Sequence, residues 1–343
     1  MREAMFYRQL EQDRVICELC PHFCKLKNEQ IGICGVRKNI AGRLYSLVYG
    51  HAIAVHVDPI EKKPLFHVAP GTGSFSLATV GCNFHCKFCQ NHDISQVNKS
   101  GDLKYYGQEI NPEDIVTMAQ RNNCRSIAYT YTEPTIYFEY AYYSARLAHE
   151  AGLLNVLVTN GYINPEPLRF ISEYIDAANV DLKSFSDNFY KKFAGAKMAP
   201  VLETLKLMKQ LNIWVEITTL IIPGENDSPQ ELQQIAGFIS NELGPETPWH
   251  ISRFYPQYQM QDHPPTPLST LEQAHAIGRN QGLRYVYLGN VPGNQAENTY
   301  CHACGKLLIE RFGYQIIENN ILSGNCKYCD TRVDGLFHGN DHH

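Results

Sequence analysis

Eleven of the twelve cysteines in this chain fall into three close-spaced groups, and this clustering constrains the fold more than any other feature of the 343 residues. Cys17, Cys20, Cys24 and Cys34 form the first group, Cys82, Cys86 and Cys89 the second, and Cys301, Cys304, Cys326 and Cys329 the third. Thiols gathered at such spacings read as metal ligands in a reducing compartment, where disulfides do not persist. Each group must therefore be a loop or turn that converges its sulfurs. The long cysteine-poor stretch between Cys89 and Cys301 must fold around an apolar core of its own. Cys124, alone in that stretch, reads as a small buried hydrophobe.

An apolar fraction of 44% with 19% charged residues is that of an ordinary globular protein able to bury a large core. With a formal net charge of -5 and no long basic run, the chain offers no positive face to nucleic acid. Residues 1–10 lack the apolar core of a signal peptide, and no run of about 18 apolar residues could span a membrane. The expected location is cytoplasmic, with no membrane partner.

Between the second and third cysteine groups, short β-rich runs alternate with helix-like stretches, the pattern of βα units and a parallel sheet. Strands are expected at 74–80, 126–130, 155–159, 178–182, 214–222, 250–254 and 285–288, each rich in Val, Ile, Leu, Tyr or Thr. Helices are expected from Pro112 after an Asn111 cap, near 136–151, 165–174 and 200–211, from Pro229 after a Ser228 cap, and near 270–281. The fold class is α/β: six or seven parallel strands in a partial or full (β/α) barrel, with an open doubly wound sheet as the alternative. In either architecture ligands collect at the C-terminal ends of the strands, and the Cys82 loop follows the first of them.

That loop has the spacing C-x3-C-x2-C, one thiolate short of a closed four-coordinate site. An open position separates a reactive metal site from a structural one. A zinc knuckle completed by a remote ligand, or by His85 within the loop, is the alternative. Cys82-x3-Cys86-x-Phe88-Cys89 resembles the signature of the radical S-adenosylmethionine (SAM) superfamily. The resemblance implies that Cys82, Cys86 and Cys89 ligate three irons of a [4Fe-4S] cluster whose fourth iron chelates SAM. Reduced by an external donor such as a flavodoxin or ferredoxin, the cluster would cleave SAM to methionine and a 5′-deoxyadenosyl radical that abstracts hydrogen from a substrate.

Further site residues follow from the same resemblance. Phe88 would lie against the adenine, and Glu133, in the turn Thr130-Tyr131-Thr132-Glu133-Pro134, would receive the SAM amino group. Asn160 after the third strand, and Asp181 and Lys183 at the end of the fourth, would also bind the cofactor, the last two at the methionyl end. Lys183 suits a carboxylate partner, although strand-end Asp/Lys pairs are often only solvated. The apolar edge Leu220-Ile221-Ile222 would flank the adenine, and His250 on the sixth strand resembles a ribose or adenine contact.

Cys301-x2-Cys304 and Cys326-x2-Cys329, separated by 21 residues, resemble a zinc ribbon, and rubredoxin-like iron would use the same ligands. Cys17, Cys20, Cys24 and Cys34 could hold structural zinc or an auxiliary [4Fe-4S] cluster, with His22 as a substitute ligand. Asp341, His342 and His343 read as a tail rather than a metal site.

Cys17-Glu18-Leu19-Cys20-Pro21-His22, residues 58–65, Gly81-Cys82-Asn83-Phe84, Cys89-Gln90-Asn91, residues 250–256 and 287–291 and the terminal cysteine pairs resemble the radical SAM member of the AmmeMemoRadiSam system. That likeness implies kinship with pyruvate formate-lyase activating enzymes and association with AMMECR-type and Memo-type proteins. The expected organisation is an N-terminal cysteine-rich segment (1–50), a barrel (51–295) and a zinc-ribbon-like segment (296–343). The expected reaction is hydrogen abstraction from a protein, as in glycyl-radical activation. Modification of a small molecule or nucleotide is the alternative enzyme activity, and an iron–sulfur electron carrier or zinc-stabilised scaffold the non-catalytic one.

Overall fold

A computed structural model of the chain describes residues 1–97 and 107–337, so the expected tail at Asp341, His342 and His343 lies outside the described residues. Eight strands form the central sheet: β1 (Ala54–Pro59), β2 (Gly73–Ala78), β3 (Ser126–Tyr129), β4 (Leu154–Thr159), β5 (Ala177–Asp181), β6 (Trp214–Ile221), β7 (Trp249–Arg253) and β8 (Val286–Gly289). Neighbours from β2 to β8 are parallel; β1 runs antiparallel to β2 at the edge. The seven parallel strands fall on the seven expected segments. Edge strand β1 was not anticipated, because Ala54-Val55-His56-Val57-Asp58-Pro59 is half exposed and ends in a proline that cannot donate to a ladder.

Six helices fill the six crossovers: α1 (Pro112–Arg121), α2 (Phe138–Glu150), α3 (Pro165–Ile171), α4 (Ala199–Gln210), α5 (Pro229–Phe238) and α6 (Leu268–Asn280). Ser228 caps α5 through its side chain, whereas Asn111 occupies the cap of α1 without a side-chain hydrogen bond. Strand order rises without reversal from β1 to β8. Right-handed crossovers then place all six helices on one face, the winding of a barrel, whereas a doubly wound sheet reverses at a switch point. Because β1 and β8 are opposite edges of the sheet, the barrel is partial.

Alternation along the strands sorts the two faces. Ile127, Leu157, Val180, Val215 and Ile217 share a core with Ile115, Ala145, Leu168, Leu205 and Ile235 of the helices. On the concave face, Ala128, Val156 and Ala177 pack against Ile60, Leu65 and Val68. Small side chains there leave room for the segment 60–68 to cross the barrel. Asn179 donates to the Pro64 carbonyl at 2.7 Å, and Glu216 accepts from the Phe66 and His67 amides at 3.0 and 2.8 Å. Two three-stranded sheets carry the N-terminal cysteines, and strands at Thr299–Tyr300, Leu307–Phe312 and Gln315–Asn319 lead into the last cysteine pair. No helix among the described residues is long and apolar enough to cross a membrane.

Candidate active site

The Cys82–Cys89 loop leaves the C-terminal end of β2 through Gly81, whose φ of 96° lies where glycine is favoured. A Cβ there would sit 2.7 Å from the Cys34 carbonyl oxygen and 2.8 Å from Val36 Cγ1, so only glycine lets the loop pass this close to the N-terminal segment. Backbone hydrogen bonds seat the loop from both sides: His85 and Lys87 donate to the Ala194 and Phe193 carbonyls at 2.8 and 2.9 Å, and Gln259 donates to Lys87 at 2.9 Å. Phe84 is buried with Tyr162 and Tyr190 at its edges. The Phe84 amide lies 3.3 Å from Cys82 Sγ, and Ser95 Oγ lies 3.2 Å from Cys89 Sγ. His85 is exposed. These sulfurs and His85 are not gathered within 4.8 Å of one another, as the ligands of a single ion would be; among the described residues only the C-terminal cysteines meet that condition.

Strand ends β4 and β5 bring their polar residues to this loop. Asn160 Nδ2 donates to Asn83 Oδ1 at 2.8 Å and lies 3.9 Å from Cys82 Sγ. Lys183 Nζ pairs with Asp181 Oδ2 at 2.8 Å and stands 5.6 Å over the Phe88 ring. Burial opposes the Lys183 charge, but Asp181 and then Cys86 outweigh it and hold the amine above its ordinary range. Phe88 is buried against Phe189, 5.9 Å between centroids.

Gly161 follows Asn160 at φ 69°, and a Cβ would lie 2.9 Å from Val180 Cγ1. Gly161→Ala is expected to cost about 1–3 kcal/mol, from the left-handed conformation and the contact together. A urea midpoint unchanged from wild type would contradict this.

The family model of the radical SAM superfamily matches residues 76–238, a span that begins in β2, contains the three-cysteine loop and ends with α5. The chain belongs to the radical SAM superfamily. An uncharacterized protein of Methanocaldococcus jannaschii is 50% identical over 336 residues, covering 97% of this chain and 99% of its own. The pyruvate formate-lyase 1-activating enzyme of Escherichia coli is 24% identical over 166 residues, 46% of this chain and 65% of that enzyme. Similarly, the 4-hydroxyphenylacetate decarboxylase activating enzyme of Clostridium scatologenes is 22% identical over 163 residues, 45% and 52% of the two chains. The [4Fe-4S] cluster and SAM implied by the family fit this radical SAM site. Its three cysteine sulfurs are not gathered as the ligands of one ion would be, and three thiolates would leave one iron of such a cluster without a protein ligand.

Two of the expected SAM contacts also make buried hydrogen bonds within this radical SAM protein. The Glu133 carboxylate is buried and accepts from Thr135 N, Thr135 Oγ1, Thr159 Oγ1 and Asn160 N at 2.7–3.0 Å. Burial raises its pKa despite those donors, three of which reach Oε1 and one, Asn160 N, Oε2. Glu133 thus ties the ends of β3 and β4 together. His250 likewise turns into the barrel, with Nε2 2.6 Å from Glu216 Oε2 and its ring stacked 5.1 Å from Tyr287. Its imidazole belongs to a buried polar network with Glu216.

Sequence reasoning missed Tyr131. Its φ is 61°, a strained value for a side chain of this size, and its carbonyl accepts from Asn91 at 2.8 Å just beyond Cys89. The Tyr131 hydroxyl reaches Asp58, which also accepts from Lys62, Lys63 and Ser76 at 2.7–2.8 Å. Burial works against the Asp58 charge, but hydrogen bonds from Lys62, Lys63 and Tyr131 hold it well below the usual carboxylate range. Nothing local marks this cluster, because its members come from β1, β2, the crossing segment and the end of β3.

The C-terminal cysteines form a compact set: Cys301 to Cys329 is 3.7 Å and Cys304 to Cys326 is 3.8 Å between sulfurs. A tetrahedron with metal–sulfur bonds of about 2.3 Å has edges of about 3.8 Å, so these four residues can hold one metal ion. Cys17, Cys20, Cys24 and Cys34 are not gathered within 4.8 Å in this way.

Proposed function

We propose that this protein is a radical SAM enzyme that cleaves SAM reductively at Cys82, Cys86 and Cys89 and uses the adenosyl radical to abstract hydrogen from a protein substrate. The observation that carries the reading is the three-thiolate loop, approached by Asn160 at Cys82 and by the Asp181-paired Lys183 over Phe88. A [4Fe-4S] cluster held there would supply the electron and the binding position for SAM. The residues do the rest. Lys183 offers a partly buried ammonium to a carboxylate, and Asp181 orients that ammonium. Asn160 and Asn83 fix the loop against the end of β4, and Phe88 gives an aromatic face. Glu133 keeps two strand ends in register.

The likeness to activating enzymes supports a protein substrate. The external donor is read as a flavodoxin or ferredoxin, and AMMECR-type and Memo-type proteins as partners. At Cys301, Cys304, Cys326 and Cys329 the ion is read as zinc in a structural role, because four thiolates leave no open position.

Anaerobic reconstitution followed by incubation with SAM and dithionite tests the activity. Wild type is expected to form 5′-deoxyadenosine and methionine, and a variant with alanine at Cys82, Cys86 and Cys89 to form neither above background. Equal yields from the two proteins would end the proposal.

A further inference from the structure

We propose that Cys17, Cys20, Cys24 and Cys34 hold a second [4Fe-4S] cluster that passes electrons to the one at Cys82, Cys86 and Cys89. The metal assignment stands by itself; the relay role rests on the SAM-cleaving function proposed above.

The four cysteines face one space. Strand Arg14–Cys17 pairs with Lys25–Leu26, and the Cys17 amide donates to the Cys24 carbonyl at 3.0 Å across the hairpin. Cys20 sits in the connecting turn, within electrostatic reach of Cys17, Cys34 and Cys24. The turn closed by Gly35 N on Gly32 O brings Cys34 alongside, and a Cβ at Gly32 would lie 3.7 Å from Cys24 Sγ.

Sulfur spacing separates the two metal classes. Four thiolates on one zinc ion stand about 3.8 Å apart, as the C-terminal set does at 3.7 and 3.8 Å. In the N-terminal set no three sulfurs lie within 4.8 Å of one another, and the same holds for Cys82, Cys86 and Cys89. A cubane cluster places each thiolate on its own iron atom and spreads the sulfurs in this way. Cys17 and Cys34 are buried, and the Arg37 guanidinium, itself buried, sits close enough to Cys17, Cys24 and Cys34 to offset their charge. Burial and a nearby cation both act on the potential of such a centre.

Position supplies the function. The Cys34 carbonyl presses on Gly81, the residue before Cys82. His22, two residues after Cys20, has Nε2 2.8 Å from the Asn83 carbonyl, and Asn83 accepts from the same Asn160 amide that approaches Cys82 Sγ. Asn164, after β4, donates to the Glu18 and Leu19 carbonyls at 2.7 and 3.1 Å. The two ligand sets therefore abut through their own backbone. A low-potential one-electron carrier protein would reduce the N-terminal cluster from its 2+ to its 1+ state; that electron would then reduce the second cluster, and the first would return to 2+. No atom or proton moves.

Metal analysis of the full chain, reconstituted anaerobically with iron, sulfide and zinc all present, tests the site. Wild type is expected to hold about eight iron atoms, about eight sulfides and about one zinc. The variant with alanine at Cys82, Cys86 and Cys89 should keep about four irons and give the electron-paramagnetic-resonance signal of a reduced cluster. A wild-type count of about four irons with about two zincs would overturn the site, whether or not SAM is cleaved. For the relay, a variant combining Cys20→Ala and Cys24→Ala is compared with wild type in 5′-deoxyadenosine formation. With reduced flavodoxin as donor the rate should fall by more than about tenfold further than it does with dithionite. Equal losses with both donors would refute the relay.

Discussion

Glu139→Ala is expected to destabilise the protein by about 3–5 kcal/mol, because it strands a buried guanidinium. Arg37 and Glu139 are exposed by only 2% and 0% of their side chains and pair in fork geometry, with Nη1 on Oε2 and Nη2 on Oε1 both at 3.0 Å. The same two groups hold the N-terminal residue Met5, whose amide donates to Glu139 Oε1 and whose carbonyl accepts from Arg37 Nη2, both at 2.7 Å. This unit pins the cysteine-bearing N-terminal sheets to α2. Removing one partner leaves the other charged and dry, whereas replacing both by apolar residues removes the desolvation cost together with the attraction. The double variant Arg37→Met with Glu139→Met should therefore lose less stability than Glu139→Ala alone. Urea midpoints measure both. A single variant within about 1 kcal/mol of wild type would mean that water reaches the guanidinium and that the pair does not anchor the segment.

Much of this architecture was legible locally. Runs such as Val156-Leu157-Val158 and Val215-Glu216-Ile217 mark strands because a parallel sheet covered by helices must be apolar on its outer face. The cysteine loop and the polar residues after β4 and β5 were legible for a related reason, since short-range order in the chain puts strand ends at one rim. What the sequence hides is the set of partners that pairing across the sheet supplies. Glu133 is a strand-end carboxylate whose partners Thr159 and Asn160 lie at the end of the next strand, 26 and 27 residues on. The partner of His250 is hidden in the same way, because Glu216, 34 residues earlier, becomes its neighbour only when β6 and β7 pair. Asp58 and Tyr131 meet over 73 residues. Burial of a polar side chain is a property of what covers it, and the segment 60–68 that covers the concave face carries no periodic signal of its own.

That covered network predicts a pH response. His67 is fully buried, with Nδ1 2.6 Å from the Asp334 carbonyl and Nε2 2.6 Å from the Tyr287 hydroxyl. A carbonyl can only accept, so Nδ1 carries the proton, and Nε2 accepts from Tyr287. Burial pushes the His67 pKa down from its ordinary 6.5 to about 4, with Arg311 and His250 acting in the same direction and Glu216 against them. Between those two values the unfolded chain takes up a proton that the folded protein refuses. Stability conferred by neutral His67 is thus complete above pH 6.5 and declines as pH falls toward about 4, a loss of about 3 kcal/mol. His67→Phe removes the titrating group and should flatten this part of the profile while lowering stability at pH 7, because the Asp334 carbonyl and the Tyr287 hydroxyl lose a partner. The measurement is the difference between wild-type and variant urea midpoints at pH 7 and pH 4.5. Since Asp334 belongs to the segment after the last cysteine pair, the same titration should loosen that segment from the barrel, read as faster amide exchange around residues 333–336 at the lower pH. Identical pH profiles for the two proteins would show that His67 is protonated in the folded state as readily as in water, against its burial.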